Sequence, residues 1–130
     1  MSRATISTSS SSTGQAYELK ACHYLQQHGL KLQQRNYRCR HGEIDLIMQE
    51  ADSLVCVEVR YRRRSHFGDG AESVDRHKQA RLIATAAHYL QAMKGSTTQA
   101  ARFDVISIGP QQATNQDTND ILWIKDAFQA

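Results

Sequence analysis

No stretch of this 130-residue sequence is long and apolar enough to span a bilayer as a helix, and no apolar segment of the kind found in secretory signals is present. That excludes a helical membrane protein and implies no membrane partner. Cysteines number only three, widely spaced and without a CxxC pair, which excludes a disulfide framework and points to reduced thiols in a cytoplasm. A zinc site from Cys22, Cys39, His41 and Cys56 lacks paired ligand spacing, so buried free thiols are the expectation. There is no internal repeat and no base-reading motif. Charge of one sign is also scarce overall, the net value being +3. Its distribution is uneven, however: residues 31–64 hold eight Lys/Arg against five Asp/Glu, and residues 96–130 hold two against four. A basic segment of that kind fits a polyanionic partner and fits a solvated surface equally.

The strongest signal is a pair of strand-like runs, Gly42-Glu43-Ile44-Asp45-Leu46-Ile47 and Leu54-Val55-Cys56-Val57-Glu58-Val59-Arg60, separated by a short polar break. With side chains alternating at period two, Glu43, Asp45 and Ile47 share one face of the first, and Cys56, Glu58 and Arg60 share one face of the second. Paired as a hairpin, the runs bring Asp45 and Glu58 together. Carboxylates inside apolar strands cost desolvation unless compensated, and a divalent cation would compensate them.

Residues 1–13 have too few apolar groups to pack and are expected to be a disordered tail, leaving 14–130 as one domain with a single core. From Gly14 to His28, Tyr17, Ala21, Tyr24, Leu25 and His28 form one helical face, ended by Gly29; Glu18 lies beside that stripe, open either to solvent or to a site at the sheet edge, and the helix pattern alone favours a solvated acid. Leu30 to Cys39 reads as a half-exposed strand carrying Arg35, Arg38 and Arg40 around Tyr37. Arg60, Arg62, Arg63 and Arg64 lead into a glycine-bearing loop over 65–70. Ser73 would cap a second helix with Gln79, Leu82, Ile83, Ala86, Leu90 and Met93 as its core stripe and Gly95 as its stop. Lys78 and Gln79 lie in its opening turns, and His77 and His88 read as ordinary histidines. Arg102 to Ile108 alternates as a fourth strand, residues 111–120 form a polar loop, and Ile121 to Ile124 is a short last strand before a helical turn capped by Asp126. The strand-helix-strand passage over 54–108 favours a parallel crossover, hence a mixed sheet flanked by helices.

The runs Asn36 to Ile47 and Val57-Glu58-Val59-Arg60, the segment Arg102-Phe103-Asp104-Val105 and the ending Trp123 to Phe128 resemble the YraN family of bacterial proteins over roughly residues 14–128. That family's motifs are similar to those of the PD-(D/E)XK nuclease superfamily, which includes restriction enzymes and Holliday-junction resolvases. The resemblance implies an α/β, restriction endonuclease-like αβββαβ core, the order read above. It also implies a Mg²⁺- or Mn²⁺-dependent endonuclease. On it, Asp45 and Glu58 are the metal ligands, Glu18 the acid of the first helix, Arg60 the occupant of the superfamily's lysine position, and Gln79 a supporting polar residue. DNA is favoured over RNA as partner, branched DNA among the substrates, and a homodimer follows because related resolvases cut paired strands as dimers. Arginine stays charged in proteins, so Arg60 suits charge stabilisation and is a poor general base.

Two functions of different class follow. One is the endonuclease, with Arg60 clamping phosphate. The other is a nucleic-acid-binding protein that keeps the fold without turnover and contacts the backbone through Arg38, Arg40, Arg62, Arg63, Arg64 and Lys78. Simple ion pairing between carboxylates and neighbouring arginines stands as the third alternative.

Overall fold

The computed structural model describes residues 12–61, 74–94, 100–109 and 121–129. The first helix, α1, spans Ser12–Gln27 and so takes in the last two residues assigned to the tail; residues 1–11 lie outside the described part. It ends where Gly29, at φ 93°, turns the chain back: Gly29 N–H donates to Gln26 O at 3.0 Å and Leu30 N–H to Leu25 O at 3.1 Å. Those two bonds satisfy carbonyls that the helix end would otherwise orphan.

Three strands follow, β1 Lys31–Cys39, β2 Gly42–Glu50 and β3 Ser53–Tyr61, in an antiparallel meander. The second helix, α2, spans Arg76–Tyr89 and runs into one π-helical turn, Leu90–Lys94. Beyond it β4, Ala101–Ile108, lies parallel to β3, and β5, Ile121–Phe128, lies antiparallel to β4. The sheet order is β1-β2-β3-β4-β5. This is the α/β, restriction endonuclease-like arrangement, αβββαβ with one added edge strand, and the expected parallel crossover is present.

Alternation puts one apolar set on each sheet face. Ala21, Cys22 and Leu25 of α1 pack on Leu46, Met48, Val55, Val57, Ile106 and Ile108. Leu82, Ala86, Tyr89 and Leu90 pack on Ile47, Leu54, Cys56, Phe103 and Val105 on the other side. Cys22 and Cys56 are therefore buried on opposite faces, with Cys39 only half-buried, and all three are free thiols.

Several sequence expectations need correction. The cap of α2 is Asp75, whose carboxylate accepts from Lys78 N–H at 2.8 Å; Ser73 and the stop at Gly95 lie outside the described residues. Met93 is 55% exposed and is no part of the core, because the π turn adds a residue and rotates the stripe away from the sheet. Gln79 is half-buried, and its amide donates to Val74 O at 2.7 Å rather than joining the apolar stripe. The last strand does not stop at Ile124: β5 continues to Phe128, and Asp126 is a left-handed bulge residue, φ 53°, not a helix cap. Its N–H is held by the buried Asp104 carboxylate at 2.9 Å. Asp104 also accepts from Arg102 through Nε and Nη2 and from Trp123 Nε1, each at 2.9 Å, and Arg102 reaches Glu50 at 2.7 Å. Four donors thus offset the desolvation of this buried carboxylate.

Candidate active site in a forked sheet

β2 and β3 do not stay paired. Their ladder runs from Glu50↔Ser53 to Leu46↔Val57 and ends there, while β2 continues along β1 to Gly42 and β3 continues along β4 to Tyr61. The sheet thus forks at Asp45 and Glu58. The cause lies in two strands at once. Arg35↔Leu46 and Tyr37↔Ile44 are paired, but the intervening Asn36 and Asp45 are not, and Asn36 takes φ 51°. Leu46 and Met48 face α1, yet Ile44, of the same parity, packs with the α2 face. The alternation therefore breaks at Asp45, so Glu43, Asp45 and Ile47 do not form the single face expected from period two. Asp45 Oδ2 instead reaches across the fork and accepts the Val59 N–H at 2.9 Å, replacing the backbone bond that the separated strand no longer supplies.

A cavity of about 480 Å³ opens in the fork. Asp45, Glu58, Arg60 and Glu18 all line it, as do Glu43, Lys78 and Arg81. Glu18 is 7% exposed, so it is a buried acid rather than the solvated one its helix pattern suggests; Asn36 Nδ2 donates to its Oε1 at 3.0 Å. α2 closes the other wall, brought near by Gly42, φ 150°, where an added Cβ would come within 3.3 Å of Thr85 Oγ1. Gln79 does not line the cavity. Arg38 pairs with Glu43 at 3.5 Å, Arg40 is exposed at the β1–β2 turn, and Arg62, Arg63 and Arg64 lie outside the described residues.

Four carboxylates converge on this cavity with three cations. Burial pushes the Asp45 carboxyl up to about 8, Glu58, Glu18 and Glu43 add to the rise, and the Val59 N–H alone opposes it. Glu43 Oε2 is buried with no hydrogen-bond partner. Glu58 Oε2 meets Lys78 Nζ at 2.6 Å and Arg60 Nε at 3.9 Å. At the mouth, Tyr17 and Tyr61 stack with ring centroids 4.6 Å apart. Among the described residues no three His, Cys, Asp or Glu side chains are set to grip one ion. A magnesium-type site needs fewer, since it takes one or two carboxylates and completes its shell with water and substrate phosphate. All-oxygen donors, crowding of like charge on Asp45 and the unpartnered oxygen of Glu43 fit such a cation.

Comparison with known proteins supplies the family. Residues 17–108 match the model of "Uncharacterised protein family UPF0102". This chain belongs to that bacterial family. The UPF0102 protein of Nitrosococcus oceani is 52% identical over 88% of this chain and 90% of its own length. Those of Methylococcus capsulatus and Pseudomonas putida are 47% and 42% identical, covering 91% and 89% of this chain and 91% and 92% of their own. The family is the one that the motifs around Asp45 and Glu58 suggested, and within this UPF0102 chain those motifs have different jobs. Asn36 to Ile47 and Val57 to Arg60 build the fork. Arg102 to Val105 builds the buried ion-pair network on β4, where Asp104 and Val105 run beside Val57 and Glu58 without lining the cavity.

Sequence reasoning gave no site role to Glu43, which lines the cavity, or to Asn36, which braces Glu18. Glu43 sits two residues before Asp45, a spacing visible in the sequence but given no role there. Asn36, a residue that is poor in strands and tolerant of left-handed backbone, carries a signal only in hindsight of the break it makes.

Proposed function

We propose that the protein is a Mg²⁺- or Mn²⁺-dependent endonuclease acting on DNA, with branched DNA as the first substrate class to try, in the cytoplasm and as a homodimer. The observation carrying this is that Asp45 and Glu58, from strands that separate between them, line one cavity with Glu18. Asp45 and Glu58 would hold the ion, which when bound supplies Lewis acidity and a water of lowered pKa. The chain's own groups do the rest. The Val59 N–H fixes one Asp45 oxygen, so the carboxylate is oriented before any ligand arrives. Asn36 fixes Glu18 against that pair. Arg60 offers charge to a phosphate held over the fork, and Tyr61, 47% exposed, offers a ring for an unpaired base beside it.

The second reading, a nucleic-acid-binding protein without turnover, is favoured by one contact: Lys78 Nζ already neutralises Glu58 at 2.6 Å. One assay separates the two. Labelled four-way junction, duplex and single strand are incubated with Mg²⁺, Mn²⁺ or EDTA, and binding is followed as salt rises. The nuclease predicts metal-dependent cleavage that Asp45→Asn abolishes. The binding protein predicts a steep salt slope, flattened by alanine at Arg62, Arg63 and Arg64, and no cleavage.

A further inference from the structure

We infer that Lys78, delivered from α2, is the catalytic ammonium of this site, the cation held closest to Glu58 and set to donate to the scissile phosphate beside the Arg60 guanidinium of β3. The inference rests on the hydrolytic reading and gives it the group that the strand lacks. Glu58 is the meeting point: Lys78 Nζ lies 2.6 Å from its Oε2 and Arg60 Nε 3.9 Å from the same oxygen. Two residues after Glu58 the chain carries arginine, so the compact ammonium reaches that carboxylate from the facing helix instead.

Its delivery is rigid. Asp75 caps α2 by accepting the Lys78 N–H at 2.8 Å and, through its carbonyl, the Gln79 N–H at 2.9 Å. The Gln79 side chain holds Val74 O at 2.7 Å, and one turn further on Arg81 abuts Gly42, where an added Cβ would lie 3.5 Å from its Cβ. The helix start that carries Lys78 is therefore ordered by its own cap and set against the fork by the approach of Arg81 to Gly42. The Lys78 side chain remains 36% exposed, open to a phosphate entering the cavity.

In hydrolysis a water oxygen bonds to phosphorus and the P–O bond to the leaving ester oxygen breaks. The water's proton passes to solvent, and the leaving oxygen takes one from solvent. Lys78 keeps its protons throughout. Its three N–H donors, free to rotate on a flexible stem, hold a non-bridging phosphoryl oxygen while Glu58 holds the ammonium. Charge building on that oxygen in the transition state is then met by a donor already in place.

The test uses the full chain with Mn²⁺ and a fluorescein-labelled four-way DNA junction. Lys78→Ala should lower kcat about 100-fold while KM stays within about threefold, the pattern of a contact made in the transition state. Lys78→Arg should keep the thermal midpoint, because the ion pair survives, yet lose kcat. Adding Arg60→Lys to Lys78→Ala should restore kcat at least tenfold, since an amine again reaches Glu58. Mn²⁺ titrated calorimetrically without DNA should bind Lys78→Ala at least as tightly as wild type. A Lys78→Ala enzyme with unaltered kcat, a loss confined to KM, or no rescue by the second substitution overturns the assignment and leaves the nuclease standing. A wild type that binds Mn²⁺ through Asp45 and cleaves none of the junction overturns the nuclease and the amine together.

Discussion

Asn36 Nδ2 lies 3.0 Å from Glu18 Oε1, which ties the edge strand β1 to the helix α1 across the mouth of the fork. The same residue sits at φ 51°, opposite Asp45 in a ladder that skips both. Asn36→Gly tolerates that backbone and removes only the donor. It should leave the thermal midpoint nearly unchanged and weaken Mn²⁺ affinity about tenfold, the usual cost of losing a residue that orients a ligand acid. Asn36→Asp, which sets another carboxylate beside Glu18, should weaken it further. Calorimetric titration of Mn²⁺ checks both.

The Asp45 carboxyl stands at about 8 against an ordinary 3.8, first through burial and then through Glu58, Glu18 and Glu43. A raised acid favours the folded state fully below pH 3.8 and loses that advantage as pH climbs to about 8, because only the unfolded chain ionises freely in that window. Asp45→Asn removes the titration. Without metal, its thermal midpoint should pull ahead of the wild type's as pH rises from 4 to 8, reaching about 5 °C or more. Saturating Mn²⁺ should close or reverse that gap, and Mn²⁺ binding near neutral pH should release a proton.

Asp104 has no exposed side-chain surface and accepts from Arg102, Trp123 and the Asp126 N–H. Asp104→Ala strands those donors and should cost about 3 kcal/mol in urea unfolding. The chain's single tryptophan, Trp123, loses its partner as well, so its native fluorescence should change.

Side-chain alternation along apolar runs carried most of the fold, because strands covered by helices on both faces read as near-continuous hydrophobic segments whose successive residues still point to opposite sides. It failed where alternation itself fails. The parity break at Asp45 depends on the paired break at Asn36, a relation between two strands that no single window contains. Glu18 looked solvated because a helix stripe counts apolar neighbours and cannot register an acid turned toward other acids. Asp126 looked like a cap because its short polar side chain suits both a helix start and a left-handed bulge; the choice was made by Asp104, distant in sequence. Lys78 fell among surface cations for the same reason: its partner Glu58 stands on another element.

The order in which the sheet is joined bears on how the chain folds. β1, β2 and β3 are neighbours in sequence and pair through short turns, whereas the β3–β4 pairing must close a loop from Leu54 to Ala101. Local hairpins form in about 1–10 μs, and long closures come later. Asp45 and Glu58 belong to the early part, while α2 lies inside the late loop. A chain folding at neutral pH therefore brings its acids together before the ammonium that quiets one of them has docked. The kinetic barrier should sit at that crowded stage and fall when the medium is acidified or supplied with divalent cations.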